Sequence, residues 1–416
     1  MFKRVPGTRD ILPEEIAYWQ KLEAVARKVF SLYNYKEIRT PVIEESALFS
    51  RSLGEFAEIV KKQMFLIKNK EDSYVLRPEG TASIVRAYLE GNLDKSGRFS
   101  KFYYIGPMFR LERPQKGRQR QFHHIGAEAI GSSSPWIDAE IIMVADAILK
   151  ADQITGYSLN INTLGCPKDK LALVDMLREE LKGKLGGLCQ ECKERFKHNI
   201  IRILDCKKQE CRKVVKGLSI QDKHLCGDCR QHFNQVKRSL DAEGLSYEVN
   251  RQLVRGLDYY TRTVFEFKHD SLGAQDALGA GGRYDNLVKD LGGPQVGSVG
   301  FAFGVERLLL VSDLKKHGPQ REVVFIIVLG DRAKDAGARL LSGLRAAGIA
   351  ADTDYQEKSL KGAMRLADDL GSDLVLILGD NELEKNVVIF KDMRRGKQEQ
   401  INLEEVVDKV KEKIET

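Results

Sequence analysis

Apolar residues near the start of the chain recur every three or four positions, the spacing of one helix face. They stand at Ile16, Trp19, Leu22, Ala26, Val29 and Phe30. Pro13 precedes them, and proline suits the first turn of a helix. The pattern therefore predicts a helix that starts near Pro13.

Farther along the chain, apolar and polar residues alternate over short stretches, which is typical of strands. These stretches are 37–43, which contains Pro41 as a breaker, 74–76, 102–109, 122–130, 158–162, 263–267 and 298–303. Together they predict an α+β fold built on an antiparallel sheet flanked by helices.

The pattern changes in two places, which divides the chain into predicted domains. Residues 166–246 form short, charged helical stretches that carry cysteines, and residues 312–322 have the composition of a linker. Beyond the linker, a strand (323–329), two helices (333–347 and 360–370) and two strands (374–378 and 386–391) predict a small α/β domain. We therefore expect a first domain over 1–320, interrupted by an insertion over 166–246, and a second domain over 321–416.

Length and composition fit a folded protein of more than one domain. The chain has 416 residues, 42% of them hydrophobic and 31% charged. Its longest apolar run, 323–329, is far shorter than the roughly 20 residues of a membrane-spanning helix. The first residues lack the apolar core of a secretory signal, so we expect a cytoplasmic protein with no membrane partner.

The charge is unevenly distributed along the chain. Residues 181–240 contain 15 Lys+Arg and 6 Asp+Glu, which gives +9, whereas residues 321–416 contain 16 and 19, which gives −3. A basic middle segment suits a nucleic-acid backbone, because each neutralised phosphate releases counterions. A solvated helical face rich in lysine is an equally good explanation.

The first specific chemical pattern is the run from Tyr104 to Gln115, YIGPMFRLERPQ. Arg110 and Glu112 lie two positions apart on a predicted strand, so we expect both side chains on one face of the sheet. An arginine fork matches a phosphate or carboxylate geometrically. A P-loop and a dinucleotide-binding glycine pattern are both missing, so any bound ATP is held in another way.

This run resembles motif 2 of the class II aminoacyl-tRNA synthetases, and its ERPQ followed by RQFH resembles the histidyl-tRNA synthetases among them. Other stretches agree in the same order along the chain: RPEGTA at 77–82, LVRGLDYYT at 253–261, AGGRYD at 280–285 and the motif 3-like GSVGFAFGVERL at 297–308. A weaker match around Pro41 resembles motif 1, the segment through which the family forms homodimers.

The resemblance implies an enzyme that activates L-histidine with ATP and Mg²⁺ to histidyl-adenylate and then transfers histidine to the 3′ end of tRNA(His). It implies catalytic roles for Arg110, Arg255 and Arg307, on the phosphates of ATP. ATP-binding residues would be Arg110, Glu112, Arg118 and Arg307. Histidine-binding residues would be Glu79, Thr81, Arg110, His124, Glu128, Arg255, Tyr259, Tyr260 and Tyr284. Arg113 and Gln115 would meet the acceptor end of the tRNA.

One position departs from the family pattern. Where the family usually has Gln after Gln-Phe-His, this chain has His124, on the same predicted strand face as Glu128. A histidine there could contact the substrate and change its affinity or the pH dependence of binding.

Two cysteine pairs, Cys189 with Cys192 and Cys226 with Cys229, have the spacing of metal ligands and favour structural Zn²⁺. Cys206 and Cys211 lie between the pairs, and Cys166 stands outside as a small packed side chain. Unmetallated buried thiols are the main alternative, and redox or disulfide roles are a lesser one.

Two other functions remain in competition with the ligase. One is a catalytically silent, histidine-binding paralogue that regulates ATP phosphoribosyltransferase; such proteins usually lack the C-terminal domain, which in the ligases reads the anticodon. The other is a pure RNA-binding protein, which would leave Glu79, Arg110, Arg255 and Arg307 unexplained.

Overall fold

A computed structural model of the chain describes residues 2–54, 57–69, 72–97, 99–115, 117–218, 220, 222–313 and 323–415. They belong to two compact units, Met1–His317 and Gly318–Thr416. The predicted linker lies almost entirely outside the described residues. Within them, no helix is both long and apolar enough to cross a bilayer.

The strands are, in chain order, β1 (Lys36–Glu37), β2 (Ile43–Glu45), β3 (Phe65–Asn69), β4 (Asp72–Leu76), β5 (Ser100–Phe109), β6 (Gln121–Ile130), β7 (Tyr157–Thr163), β8 (Glu248–Val249), β9 (Thr261–His269), β10 (Ala277–Arg283), β11 (Ser298–Gly304), β12 (Val324–Leu329), β13 (Ala351–Thr353), β14 (Leu374–Gly379), β15 (Val387–Asp392) and β16 (Lys397–Asn402). The helices are α1 (Pro13–Leu32), α2 (Ser46–Leu53), α3 (Thr81–Glu90), α4 (Pro135–Ala151), α5 (Pro167–Leu181), α6 (Gln190–His198), α7 (Gln209–Lys216), α8 (Gly227–Ala242), α9 (Leu287–Asp290), α10 (Val305–Val311), α11 (Lys334–Ala346), α12 (Leu360–Asp369), α13 (Asp380–Glu384) and α14 (Val406–Glu415).

The first unit is organised by a large sheet, which has eight strands among the described residues in the order β1-β5-β6-β11-β10-β9-β7-β8. Its central pairs are antiparallel, and only the two edge pairs, β1 with β5 and β7 with β8, are parallel. The predicted antiparallel sheet is therefore confirmed. A smaller antiparallel sheet, β2-β4-β3, lies in the same unit.

Successive side chains of a strand point to opposite faces of the large sheet, and this alternation decides which side chains pack on each face. On β11, Val299, Phe301 and Phe303 join the core formed with α1, α4 and α8. The intervening residues of β11, which are small, therefore point to the opposite face. One face of the sheet is thus covered by α1, α4 and α8. On the opposite face, side chains of β5, β6 and β9 pack with residues of α3, α5 and α9, and the small residues of β11 leave space beside them.

Most strands predicted from alternation are found, but the single strand predicted over 37–43 is wrong. The chain instead forms β1 and β2 in two different sheets, with Pro41 between them. Proline cannot donate to a strand ladder, so the break falls around it. Among the strands that the sequence pattern did not predict, β10 contains five small residues, two alanines and three glycines, so it shows no apolar–polar alternation.

The second unit has a mixed sheet, with five strands among the described residues in the order β13-β12-β14-β15-β16. Side chains of α11 and α14 pack on one face of this sheet, and side chains of α12 pack on the other. The predicted elements of the α/β domain are present, while β13, β16, α13 and α14 are additional.

A buried ion pair ties the helical layer of the first unit to the sheet. Asp138 on α4 and Arg283 at the end of β10 are both fully buried and paired through two guanidinium nitrogens. Thr263 donates a further hydrogen bond to Asp138 at 2.6 Å, and His232 of α8 lies 2.7 Å from the same carboxylate. Although burial opposes ionisation, the Arg283 charge lowers the pKa of Asp138.

Replacing Asp138 with alanine should lower the free energy of unfolding of the first unit by about 3–5 kcal/mol, because Arg283 would remain buried without its partner. Both tryptophans of the chain, Trp19 and Trp136, lie in this unit, so denaturant titration followed by tryptophan fluorescence reports on it. Asp175→Ala, which removes an exposed carboxylate on α5, is the control. Equal losses in the two variants would contradict the importance of the pair.

Candidate active site

A cavity of about 330 Å³ lies on the face of the large sheet opposite α1, α4 and α8. Gly300, Ala302 and Gly304 of β11 line it, because their bulky neighbours point the other way. Small side chains on this floor leave room for a flat ligand to lie close to the strands.

A buried carboxylate, that of Glu128 on β6, lies beside this cavity. Glu128 is 1% exposed and accepts hydrogen bonds from Thr81 Oγ1 at 2.7 Å and from Tyr284 Oη at 2.6 Å. Its partner across the ladder is Gly300, where a Cβ would overlap the carboxylate. Burial raises the pKa of Glu128 to about 8, although the hydroxyl groups that donate hydrogen bonds to it lower the pKa. At neutral pH this carboxyl group is therefore mainly protonated, and a hydrogen-bond donor on a bound ligand would favour its ionised form.

A second carboxylate, that of Glu79, stands at the start of α3, where the sequence predicted it. It accepts from the backbone N–H groups of Thr81 at 2.6 Å and Ala82 at 2.9 Å, which belong to the first turn of the helix. The N-terminus of a helix stabilises negative charge, but burial still raises the pKa of Glu79. Both Glu79 and Thr81 line the cavity, so the 77–82 segment contributes to the site as a unit.

Four arginines from separate segments converge on the same cavity: Arg110, Arg118, Arg255 and Arg307. Burial lowers the pKa of Arg307, and the nearby charges of Arg118 and Arg110 lower it further. Burial likewise lowers the pKa of Arg110, with the Arg255 charge acting in the same direction. Such mutual repulsion marks a site built for an anion with several charges.

Backbone carbonyls and carboxylates hold these arginines in place. Arg110 donates to Pro78 O at 2.9 Å, and Arg307 donates to Ala277 O at 2.6 Å and to Gly117 O at 3.0 Å. Arg255 pairs with Glu266. The Nε of Arg255 is buried and has no hydrogen-bond partner among the described residues, so this donor remains available to a ligand.

The prediction that Arg110 and Glu112 share a strand face is wrong. β5 ends at Phe109, and although Arg110 N–H still donates to Arg120 O at 2.8 Å, Glu112 N–H donates back to Arg110 O at 2.8 Å. The chain therefore turns immediately after the strand. Beyond the turn, Glu112 pairs with Arg118 through both of its carboxylate oxygens.

Three tyrosines from two separate segments, all named from the family resemblance, line the cavity together. The rings of Tyr259 and Tyr260 lie 4.7 Å apart, and those of Tyr259 and Tyr284 lie 5.8 Å apart. Burial raises the pKa of Tyr260 to about 12, and it raises the pKa of Tyr284 well above its ordinary value. Both hydroxyls therefore stay neutral and able to donate.

His124 occupies the cavity face of β6, as predicted. Burial lowers its pKa well below the ordinary value, and the charges of Arg110 and Arg307 act in the same direction. The imidazole is therefore neutral at neutral pH. Its Nδ1 is buried and has no hydrogen-bond partner among the described residues.

Several residues of the site were not singled out by the sequence. The Tyr104 hydroxyl reaches Glu128, and the Tyr104 ring fills the space beside Gly80 and Gly126. Phe122 lies under Arg110, 5.2 Å from ring centre to guanidinium carbon. Tyr104 and Phe122 lie in the predicted motif 2 strands, so alternation along those strands was the available signal. Asp205 and Lys207 of the insertion also line the cavity, and no local pattern indicates this.

Arg113 and Gln115 lie outside the cavity. Both are exposed, and Gln115 exchanges backbone hydrogen bonds with Arg118 across the tip of the loop that joins β5 to β6. Their side chains are thus presented to solvent beside the arginine-lined end of the site.

The predicted grouping of Cys189, Cys192, Cys226 and Cys229 is wrong. The structure places Cys189 and Cys192 with Cys206 and Cys211, in a buried cluster. Cys226 and Cys229 lie instead with Cys166 and Asp169, so Cys166 is not an isolated packed side chain. Spacing along the chain revealed the pairs but not their partners.

Comparison with known proteins identifies the family to which the chain belongs. The histidyl-tRNA synthetase family model matches residues 7–308, and an anticodon-binding domain model matches residues 323–413. The chain belongs to the histidyl-tRNA synthetase family.

Full-length relatives agree with this membership. The histidine–tRNA ligase of Thermosipho melanesiensis is 45% identical over all of both chains, and that of Thermodesulfovibrio yellowstonii is 44% identical over 99% of this chain and 98% of its own length. The crystal structure of the apo histidyl-tRNA synthetase of S. aureus superposes with a TM-score of 0.80 at 36% identity, over 98% of this chain and 99% of that one. The family resemblance expected from the sequence is confirmed.

The raised pKa of Glu128 makes stability depend on pH. In the unfolded chain a glutamate loses its proton near pH 4.5, whereas folded Glu128 keeps it to about pH 8. The folded state therefore loses stability relative to the unfolded state as pH rises through this window. Glu128→Gln removes the titration, so between pH 5 and 8.5 the variant should gain about 3–5 kcal/mol relative to the wild type.

Denaturant titrations of both proteins without ligand, followed by tryptophan fluorescence, measure this difference. Parallel pH profiles of the wild type and Glu128→Gln would show that the carboxyl ionises normally in the folded protein.

Proposed function

We propose that this chain is a histidine–tRNA ligase. It joins L-histidine to ATP with release of diphosphate, and it then transfers histidine from the adenylate to the 3′ end of tRNA(His) with release of AMP, as a step of protein biosynthesis. The observation that carries the proposal is the convergence of four arginines on one cavity, two of whose lining residues, Thr81 and Tyr284, hold the Glu128 carboxyl group beside it.

The first step needs charge stabilisation rather than a base. The carboxylate of histidine, already ionised at neutral pH, attacks the α-phosphorus while the bond to the diphosphate oxygen breaks. Negative charge grows on the transferred phosphate, and Arg110 and Arg255 face it. Arg307 holds the γ-phosphate, and Glu112 and Arg118 contribute to the nucleotide site. Fixed donors of this kind act by positioning and electrostatic preorganisation.

Mg²⁺ fits the residues at this end of the cavity. Glu112 and Glu266 line the cavity beside arginines and supply oxygen atoms, the ligands that Mg²⁺ prefers. The ion would neutralise phosphate charge when ATP is bound. The unpartnered Nε of Arg255 is a donor that a phosphate or carboxylate oxygen satisfies.

Histidine specificity rests on Glu128. The Glu128 carboxyl group, held by Thr81 and Tyr284, is oriented to accept a hydrogen bond from an imidazole N–H, and an analogue without that donor leaves this buried acceptor unpaired. Tyr259 and Tyr260 enclose the ring, and Glu79 faces the substrate ammonium. His124, neutral and unpaired at Nδ1, adds a contact that depends on pH.

The tRNA would contact both units. Arg113 and Gln115, exposed at the loop tip beside the cavity, are placed to meet the acceptor end. We assign residues 1–320 to catalysis, with the insertion at 166–246, and residues 321–416 to the anticodon. Because the latter segment has a net charge of −3, its contacts would be local and directed at bases rather than a broad positive field.

We further propose a cytoplasmic homodimer. The small sheet carries exposed apolar side chains at its two outer strands, among them Val42 and Ile43 at β2 and Leu66 and Ile67 on β3. Exposed apolar side chains of this kind suit an interface between copies, and those at β2 lie next to the motif 1-like segment around Pro41.

For the buried cluster of Cys189, Cys192, Cys206 and Cys211 we propose structural Zn²⁺. Cys189 Sγ accepts the Cys192 N–H at 3.4 Å, and Cys211 Sγ accepts the Cys189 N–H at 3.2 Å. Backbone donors aimed at sulfur favour the thiolate form that binds zinc, and a closed set of four sulfurs suits a structural ion.

The regulatory paralogue is the weaker alternative. A structure from Bacillus halodurans described as an ATP phosphoribosyltransferase regulatory subunit/histidyl-tRNA synthetase superposes with a TM-score of 0.66 at 23% identity, covering 91% of this chain and 98% of that one, which is a likeness of fold. This chain retains the C-terminal unit and the intact cavity arginines, which a silent binder does not need.

Histidine-dependent exchange of labelled diphosphate into ATP tests the ligase directly. We expect exchange with histidine and none with other amino acids. Purified chain that binds histidine but supports no exchange would favour the regulatory alternative.

Arg255→Ala should slow this exchange by about 100-fold or more, the effect of losing one donor to developing charge, while histidine binding measured by calorimetry survives. Arg251→Ala is a matched control, because Arg251 lies in the same segment but pairs with Asp222 at the surface. Wild-type exchange in Arg255→Ala would overturn its catalytic role.

Arg113→Ala should separate the two steps of the reaction. Losing one charge-assisted hydrogen bond to the acceptor end should lower kcat/KM for tRNA charging by about 10-fold or more. Diphosphate exchange should not change, since Arg113 lies outside the cavity. A parallel fall in both activities would place Arg113 in the adenylate site instead.

A further inference from the structure

We propose that Cys166, Asp169, Cys226 and Cys229 form a second metal site, which binds a zinc-like divalent cation at the base of the insertion. One ligand atom from each residue lies within 4.8 Å of the others. Ligands of a tetrahedral zinc ion lie about 3.3–3.8 Å apart, given bonds of about 2.0–2.3 Å, so small side-chain rotations close the set. Three thiolates and one carboxylate suit zinc.

The two halves of this site have the same local design. Cys166 and Cys226 are the N-cap residues of α5 and α8, and Asp169 and Cys229 are the third residues of those helices. Positions three apart at a helix start lie on one side, so each helix presents two ligands together. Both helix N-termini face the cluster and favour the negative charge of bound thiolates.

Asp169 joins the halves even without an ion. One carboxylate oxygen accepts the Cys226 N–H at 3.0 Å, and the other accepts the Cys166 N–H at 3.2 Å. Asp169 is 3% exposed and Cys229 is 1% exposed. A buried carboxylate bonded across two helix starts holds the four groups in place, and each oxygen has a further lone pair for a metal.

The location gives the site a role distinct from that of the four-cysteine cluster. Cys166 and Asp169 follow β7, where the chain enters the helical segment, and Cys226 and Cys229 begin α8, where the chain returns to the sheet. A metal here closes the intervening chain into a loop at its base. Because the three thiols bind as thiolates, their protons pass to the solvent on binding.

The base of the insertion is attached to the segment that carries the pocket tyrosines. Lys170, next to Asp169, donates to the carbonyl oxygens of Asp258 and Tyr260, each at 3.0 Å. Arg262 N–H donates to Gly165 O at 2.8 Å. A metal that fixes Asp169 therefore positions Tyr260, so this part of the proposal rests on the histidine site described above.

Metal analysis of the purified full-length protein tests the site independently of activity. We expect two zinc ions per chain in the wild type, one in Cys226→Ser/Cys229→Ser, and one in the control Cys206→Ser/Cys211→Ser. Wild-type metal content in Cys226→Ser/Cys229→Ser would overturn the second site, as would a wild type with a single ion that only the control loses.

Thiol alkylation of the wild type covers the case in which a variant fails to fold. Cys226 is exposed, so it should react slowly with iodoacetamide while metal is bound and at least 10-fold faster after chelation. Rapid labelling before chelation, or a Cys226–Cys229 disulfide seen by mass spectrometry, would overturn the proposal.

A kinetic comparison tests the link to Tyr260. Cys226→Ser/Cys229→Ser should raise the KM for histidine in diphosphate exchange by about 10-fold, with a smaller change in kcat, as when a residue that orients a site is lost. An unchanged KM in a variant that lacks one ion would overturn the positioning role. A wild type with two ions and no exchange would refute the ligase while leaving the metal site intact.

Discussion

The need to satisfy a buried carboxylate fixes the arrangement of the cavity. Glu128 is removed from water, and an unpaired acid there would cost several kcal/mol. Its donors come from the start of α3 and from the residue after β10, while the strand beside it must offer glycine at position 300. Three elements that are distant in sequence are therefore held in one register by a single side chain. The register in turn directs the bulky residues of β11 towards the helices and the small ones towards the cavity.

The arginines form the opposite end of the cavity, and their placement works against stability. Burial and mutual repulsion disfavour the charged state of Arg110 and Arg307, so neither would converge there without support. Backbone carbonyls of Pro78, Gly117 and Ala277 provide that support. A polyanion between the arginines would replace repulsion with attraction. The stability given up to bring the arginines together is thus the source of the site's affinity for an anion, a common arrangement at functional sites.

Sequence patterns predicted what depends on near neighbours along the chain. Alternation identified β5, β6, β9 and β11, and the same alternation placed His124 and Glu128 on one face. Alternation did not predict turns or long-range pairings. The turn after Phe109 separates Glu112 from the strand. The Asp138–Arg283 pair joins residues far apart in sequence. The glycines of β10 were interpreted as part of a binding segment rather than as a strand. In each case a tertiary contact overrode the local preference.

The cysteines show the same limit most clearly. Two Cys-x-x-Cys pairs suggested one shared site, because spacing reports which sulfurs lie on one helix turn but not which turns meet. The meeting is decided by topology: β7 and β9 pair antiparallel, so the chain that leaves β7 must return beside it. The first residues of α5 and α8 are thereby brought together. Cys226 and Cys229 therefore lie beside Cys166 and Asp169 rather than beside Cys189 and Cys192. The sheet whose strands line the cavity therefore also determines where the two ends of the insertion meet.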